Sequence, residues 1–260
     1  MEVVITQNYD EMSKLAAQMV AELLNTKPNG VLGMATGSTP LGLYQELVRM
    51  HQRGQLDFSR VMTFNLDEYV GLPGNHPQSY SYFMQEHFFK HVNVQPQNIN
   101  IPSGTTSNYP AFCDWYERHI TESGGIDLQI LGIGSDGHIA FNEPTSSLSS
   151  RTRLKTLSMQ TIGDNARFFE RREDVPVYAI TMGVGTILEA RQLLLVASGK
   201  SKARAIAQAV EGPVTSMVTA SALQLHRDAT VIVDEEAASE LTMRDYYEFI
   251  YAAKPSAPKS

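Results

Sequence analysis

Between Asp10 and Leu24 the apolar residues Met12, Leu15, Ala16, Met19, Val20 and Leu23 recur at helical spacing, and Lys27-Pro28-Asn29-Gly30 ends the pattern. An unbroken apolar run, Val31-Leu32-Gly33-Met34-Ala35, follows between turn residues, the mark of a strand covered on both faces. Thr36-Gly37-Ser38-Thr39-Pro40 then leads into a helix over Leu41–Arg53, with Pro40 in the first turn and Ser38 or Thr39 as N-cap. The same rhythm repeats. Strands are expected at Val61–Leu66, Ile126–Ile133, Val177–Thr181, Gln192–Ala197 and Ala229–Val233, and helices at Ser79–His91, Tyr109–Glu122 and Lys200–Val210. A polar loop joins Leu66 to Gln78. This alternation predicts an α/β fold: a doubly wound, mainly parallel, Rossmann-like sheet in a single domain over residues 1–260. Glu143–Asp174 breaks the rhythm with a polar, Ser- and Arg-rich texture, and is expected to be a lid insertion. The tail, 252–260, is expected to fray.

Charge narrows the partners. With 21 basic and 28 acidic residues the formal net charge is −7, which opposes a broad nucleic-acid or acidic-membrane surface. The densest apolar run, Leu193–Ala197, is far too short to span a bilayer. Met1–Asp10 carries two acids and no basic-then-apolar leader, so a cytoplasmic location is expected. Cys113 is the single cysteine, which excludes an internal disulfide and a Cys-based zinc site; on the apolar face of its helix it reads as a small buried hydrophobe.

Ligands of open parallel sheets bind beyond the carboxyl ends of the strands, and three such ends carry chemistry. Thr36-Gly37-Ser38-Thr39 offers hydroxyls, a permissive glycine and the N–H groups of a helix start, which suits either an anion cradle or ordinary capping. No lysine follows at the spacing of a Walker loop. Asp67 and Glu68 adjoin at a strand end and, on a strand, point to opposite faces, so one of them at most faces a cleft. Asp136-Gly137-His138 with Glu143 sets an imidazole beside two carboxylates. That grouping suits proton transfer and, less well, a metal.

Taken together, Ala35-Thr36-Gly37-Ser38-Thr39-Pro40, Phe64-Asn65-Leu66-Asp67-Glu68-Tyr69-Val70-Gly71-Leu72 and Asp136-Gly137-His138-Ile139-Ala140-Phe141-Asn142-Glu143-Pro144 resemble the glucosamine-6-phosphate deaminase (isomerase) family. The resemblance continues through Ser149–Arg153, Ala166–Phe169 and Val210–Gly212 and weakens after about Leu241. It implies conversion of glucosamine 6-phosphate and water to fructose 6-phosphate and ammonia, without metal or organic cofactor. It also implies a role for each position. Thr36, Gly37, Ser38, Thr39, Lys202 and Arg167 would hold the phosphate, and Gly132 and Gly134 the sugar hydroxyls. Asp67 would carry the C2 proton, and His138 would open the ring under the control of Asp136 and Glu143. Tyr69 and Tyr80 suit either pocket lining or core packing. In regulated members of the resembled family, positions matching Ser146, Arg153, Lys155 and Thr156 bind N-acetylglucosamine 6-phosphate between subunits of a hexamer, so a homo-oligomer with this effector is expected. Arg153 and Lys155 alternate, and in an extended segment both project to one face. The competing readings are another sugar-phosphate isomerase or lactonase of the same fold, and a non-catalytic sugar-phosphate sensor. The presence of both Asp67 and His138 opposes the sensor.

Overall fold

In the computed structural model, which describes residues 1–254, the chain runs β1 (Glu2–Thr6), α1 (Tyr9–Thr26), β2 (Val31–Met34), α2 (Leu41–Gln52), β3 (Met62–Asn65), β4 (Asp67–Tyr69), α3 (Tyr80–His87), β5 (Ile99–Asn100) and α4 (Tyr109–Glu122). It continues through β6 (Leu128–Leu131), β7 (Arg153–Thr156), α5 (Met159–Asn165), β8 (Tyr178–Thr181), α6 (Val184–Leu188), β9 (Gln192–Ala197), α7 (Ala203–Val210), β10 (Ala229–Asp234) and α8 (Arg244–Ala252). Seven strands form one parallel sheet in the order β1-β10-β9-β6-β2-β3-β5. Every residue of β2, β6 and β10 is buried, which is why these segments are dominated by apolar residues, with Gln129, Thr230 and Asp234 as their polar exceptions. Helix α1 starts where Asn8 accepts the Glu11 N–H, ends before Pro28, and turns Met12, Ala16, Ala17, Val20 and Leu24 inward. Each of the larger of these contributes about 1.5–3 kcal/mol by leaving water.

A second, smaller sheet was not expected. Strands β4, β8 and β7 pair antiparallel, with Asp67, Thr181 and Arg153 in one row, Glu68, Ile180 and Leu154 in the next, and Tyr69, Ala179 and Lys155 in the third. The segment expected as a strand over 177–181 therefore belongs to this sheet and not to the parallel one, and the loop expected after Leu66 begins as strand β4. The polar stretch 143–174 is also more ordered than a lid of loops: it contains β7, α5 and two short 3₁₀ turns. Tyr69, Phe141, Leu157, Ile162, Val175 and Ala179 form a small core beneath it, separate from the main one. Leu66 is the single residue between β3 of the large sheet and β4 of the small one. Its N–H donates to the Met34 carbonyl at 3.0 Å on the parallel side, and its carbonyl accepts from Met182 at 2.7 Å on the other.

Several boundaries differ from expectation, β6 for one spanning Leu128–Leu131 and not Ile126–Ile133. Helix α3 stops at His87 and gives way to a 3₁₀ turn over Phe89–His91, while α7 starts at Ala203 after a 3₁₀ turn at Lys200–Lys202. The tail does not fray from 252: Ala252 ends α8, and the Lys254 ammonium pairs with Glu2 at 2.9 Å. The rest of that expectation, residues 255–260, lies outside the described residues. Among the described residues no helix is long and apolar enough to cross a membrane.

Candidate active site at the carboxyl edge of the sheet

Strands β3, β2, β6 and β9 are neighbours and parallel, so the loops that follow them emerge side by side at one edge. The loop after β2 is pinned by two tyrosines. Fully buried Tyr44 accepts from the Ala35 N–H at 3.1 Å and donates to the Ala35 carbonyl at 2.6 Å. The Tyr9 hydroxyl accepts from the Gly42 N–H at 2.7 Å and reaches the Thr39 carbonyl at 3.0 Å. Neither Ser38 nor Thr39 caps α2. Pro40 occupies the N-cap position without a side-chain hydrogen bond, and Tyr9 satisfies the helix start in place of a cap. Gly37 has φ +106°, a left-handed geometry that turns Thr36 and Thr39 into a half-buried cradle with Ser38 exposed.

Beyond Leu66 the two adjacent acids separate as strand geometry requires. Asp67 is 6% exposed, and among the described residues its carboxylate accepts no hydrogen bond. Burial, with the Glu68 charge adding, pushes its carboxyl up to about 8. Glu68 turns the other way, into the first turn of α3. Tyr69 and Tyr80 serve as packing first: their ring centroids lie 4.9 Å apart, and Tyr80 stacks on Phe141 at 5.9 Å. The Tyr80 hydroxyl also adjoins Thr36, and the Tyr69 hydroxyl accepts from Asn165 of α5 at 2.8 Å.

The loop after β6 holds the imidazole. His138 Nδ1 lies 2.6 Å from Asp136 Oδ1, and the His138 N–H donates to the same oxygen at 3.2 Å, so one carboxylate fixes the ring. Burial works to raise the Asp136 carboxyl, but the His138 ring and backbone donors bring it below the ordinary carboxylate value. The ring lies over Gly134, where a Cβ would come within 2.4 Å of it; a side chain at 134 would displace the imidazole. Glu143 Oε1 accepts from the Ser158 N–H at 3.0 Å, at the start of α5, while buried Oε2 has no partner among the described residues. One donor atom each from Asp136, His138 and Glu143 fall within 4.8 Å of one another, the spacing of a proton-transfer group and also of a metal chelate. Thr219 braces the loop from outside. It accepts from the Ile139 N–H at 3.2 Å and donates to the Asn142 carbonyl at 2.9 Å. Ala140 and Thr145 hold φ of 50° and 76°, so strain is stored on both sides of Glu143.

Lys202, the N-cap residue of α7, donates to the Ile133 carbonyl at 2.7 Å, between Gly132 and Gly134. Burial lowers its ammonium, nearby Arg167 lowers it further, and Asp164 and Asp136 oppose them. Asp234 at the end of β10 accepts from the Gly199 N–H at 3.0 Å and shapes the turn that presents Lys202. Arg167 is exposed and lies over the Phe168 ring, 4.7 Å from its centroid. The structure thus brings Thr36, Asp67, Asp136, His138, Glu143 and Lys202 to one edge and sets Arg167 at its rim. The four positions expected for an effector fall elsewhere. Arg153 and Lys155 share one face of β7, Thr156 is exposed, and the Oγ of buried Ser146 has no partner. Arg153 donates to Asn142 Oδ1 at 2.7 Å and so touches the His138 loop from behind.

Sequence reasoning passed over Tyr9, Tyr44, Thr219 and Asp234. Each acts through a contact remote in the chain, and no local pattern marks it. Asp234 did carry one signal, an acid ending a buried, mostly apolar strand.

A family model described as glucosamine-6-phosphate isomerases/6-phosphogluconolactonase matches residues 6–232. The chain is 52% identical over 248 residues to a glucosamine-6-phosphate deaminase of Thermoanaerobacter sp. (strain X514), covering 95% of this chain and 98% of that one. It is 55% identical over 241 residues to that of Halothermothrix orenii, covering 93% and 100%. A solved structure, described as a monomeric glucosamine-6-phosphate deaminase, superposes with a TM-score of 0.90 at 46% identity over 92% of this chain and 100% of that one. A 6-phosphogluconolactonase from Trypanosoma cruzi shares the fold, with a TM-score of 0.74 at 20% identity over 93% and 97%.

Proposed function

The chain belongs to the glucosamine-6-phosphate isomerase/6-phosphogluconolactonase family, and from that premise we propose that its strand-end cleft converts glucosamine 6-phosphate and water to fructose 6-phosphate and ammonia. The net change is hydrolytic loss of an amine during aldose–ketose isomerisation, a step of amino-sugar catabolism suited to the cytoplasm. One observation carries the reading. A buried carboxyl, Asp67, an imidazole fixed by Asp136, and the half-buried Lys202 cation stand with the Thr36 cradle on segments that follow the neighbouring parallel strands β3, β6, β9 and β2.

Thr36, Gly37, Ser38 and Thr39 hold the phosphate with their N–H groups and hydroxyls. Lys202 and, from the rim, Arg167 supply the cations a dianion needs in an acidic protein. Gly132 and Gly134 leave room for sugar hydroxyls at the backbone. His138 moves a proton between O1 and the ring oxygen as the C1–O5 bond breaks, with Asp136 holding its ring and Glu143 close by. Asp67 then takes the proton from C2. The electron pair forms the C1–C2 enolamine, and the proton returns to C1. The resulting C2 imine adds water, and ammonia leaves. The half of the cleft around Asp67 is dry, which strengthens the base.

The direct test incubates the protein with glucosamine 6-phosphate and measures ammonia and fructose 6-phosphate together. Equal amounts of both, unaffected by a chelator, are expected. Isomerisation without ammonia would overturn the assignment.

Effector control is a separate proposal. Arg153 and Lys155 project from one face of β7, and among the described residues neither pairs with a carboxylate. Two such cations suit the phosphate of N-acetylglucosamine 6-phosphate, bound between subunits of a hexamer with Ser146 and Thr156 contributing hydroxyls. The expected rate curve is sigmoidal and becomes hyperbolic with that sugar phosphate, and the response disappears in Arg153→Ala/Lys155→Ala. A coupling of about 1–3 kcal/mol is typical of such systems. A hyperbolic curve unmoved by the effector, from a monomer in sedimentation, refutes regulation and leaves the deaminase reading intact.

A further inference from the structure

Of the two adjacent acids on β4, the mechanism uses Asp67 and leaves Glu68 without a task. Yet Glu68 is the more deeply buried, at 1% exposed. Its carboxylate is fully engaged. Oε1 accepts from the N–H of its own neighbour Tyr69 at 2.9 Å and from the Tyr80 N–H at 2.9 Å, and Oε2 accepts from the Ser81 N–H at 2.8 Å. Tyr80 and Ser81 open α3, and the next N–H, that of Tyr82, is taken by the Ser79 hydroxyl at 3.0 Å. The start of α3 is therefore satisfied by one local side chain and by a carboxylate from a different element. An anion at that place also complements the helix dipole.

What hangs on this clamp is the Tyr80 ring. It stacks on Phe141 with the planes 11° apart, packs against Tyr69, and sets its hydroxyl beside Thr36. Phe141 lies between His138 and Glu143, and its own N–H donates to Thr181 Oγ1 at 3.1 Å, in the strand row that includes Asp67. One ring thus touches the phosphate loop, the imidazole loop and the strand of the base. Resting on the reading of Asp67 as the base, we propose that Glu68 is the positioning residue of the site. It fixes Tyr80 as the common wall of the three loops and places a second negative charge behind Asp67.

The charge is what separates this role from plain structural support. The groups facing Asp67 are Glu68 and Tyr69 from β4, Tyr80 from α3 and Tyr116 from α4, with Arg153 two strands away beyond Thr181. The tyrosines are neutral: burial holds all three hydroxyls above their ordinary value. Glu68 is the charge that acts on the Asp67 carboxyl, and it acts to raise it. The catalytic form is ionised Asp67, so activity rises with pH through its titration. Removing the Glu68 charge favours the ionised form and moves that rise to lower pH.

The experiment compares pH profiles of kcat/KM for the wild type, Glu68→Gln and Glu68→Asp, with thermal denaturation recorded alongside. Glu68→Gln removes the charge in the same volume, and its acid limb is expected to move down by about 0.5–1 pH unit. Glu68→Asp keeps the charge and shortens the reach to α3. Its limb is expected to stay in place while kcat falls about 10–100-fold and the Kd of a phosphorylated amino-sugar alcohol changes little. A lowered melting temperature with an unmoved limb in Glu68→Gln would make Glu68 a structural cap only and overturn the proposal. Wild-type kcat in Glu68→Asp would also overturn it, whether or not Glu68→Gln folds. In either case loss of activity in Asp67→Asn would keep the base assignment standing.

Discussion

Asp67→Asn is expected to lose ~10²–10⁴-fold in kcat, the usual loss when a general base at carbon is removed. Its affinity for a phosphorylated competitive inhibitor should stay near that of the wild type. The change is one atom in a buried side chain that accepts no hydrogen bond among the described residues, so the fold has little reason to respond. The pH dependence gives a second signature. With its carboxyl pushed up to about 8, Asp67 is largely protonated in the free protein at neutral pH, and kcat/KM should climb as the pH rises through that value. Asp67→Asn should flatten that climb. Near-normal turnover in the variant would remove Asp67 from the mechanism.

His138→Gln carries the other large effect, a loss of roughly 10²–10⁴-fold on the cyclic substrate. Glutamine spans a similar distance but cannot accept and return a proton, and it leaves Asp136 without the ring that holds it at 2.6 Å. If His138 mainly opens the ring, substrate supplied in open-chain form should recover a large part of the rate. Equal losses on cyclic and open-chain forms would place His138 at a different step.

The parallel sheet was legible because its central strands are buried on both faces, and chains under that constraint become apolar without interruption, as in Leu193–Ala197. The small sheet was not. Asp67-Glu68-Tyr69 reads as a polar strand end, yet all three residues are buried, by α3, α5 and the Phe141 loop that pack on them from elsewhere in the chain. Helix α8 escaped notice for the opposite reason. None of its residues is buried: Tyr246, Phe249, Ile250 and Tyr251 stay exposed, so its apolar residues do not mark a covered face. Within the site, Asp136, Gly137 and His138 lie within three positions and announce themselves. The Tyr9 and Tyr44 contacts that hold the Thr36 loop depend on where helices pack, and residue order alone does not carry that.

Leu66 has an evolutionary consequence. It is the one residue between β3 and β4, held on both sides by backbone hydrogen bonds, and the acids begin directly after it. Along a strand, one added residue turns every following side chain over. An insertion here would send Glu68 to the cleft and Asp67 to the helix, exchanging proton carrier and clamp in a single step. Most loops of a protein drift in length by any number of residues. At this joint the length of the chain from Asn65 to Asp67 and the chemistry of the site are one and the same constraint.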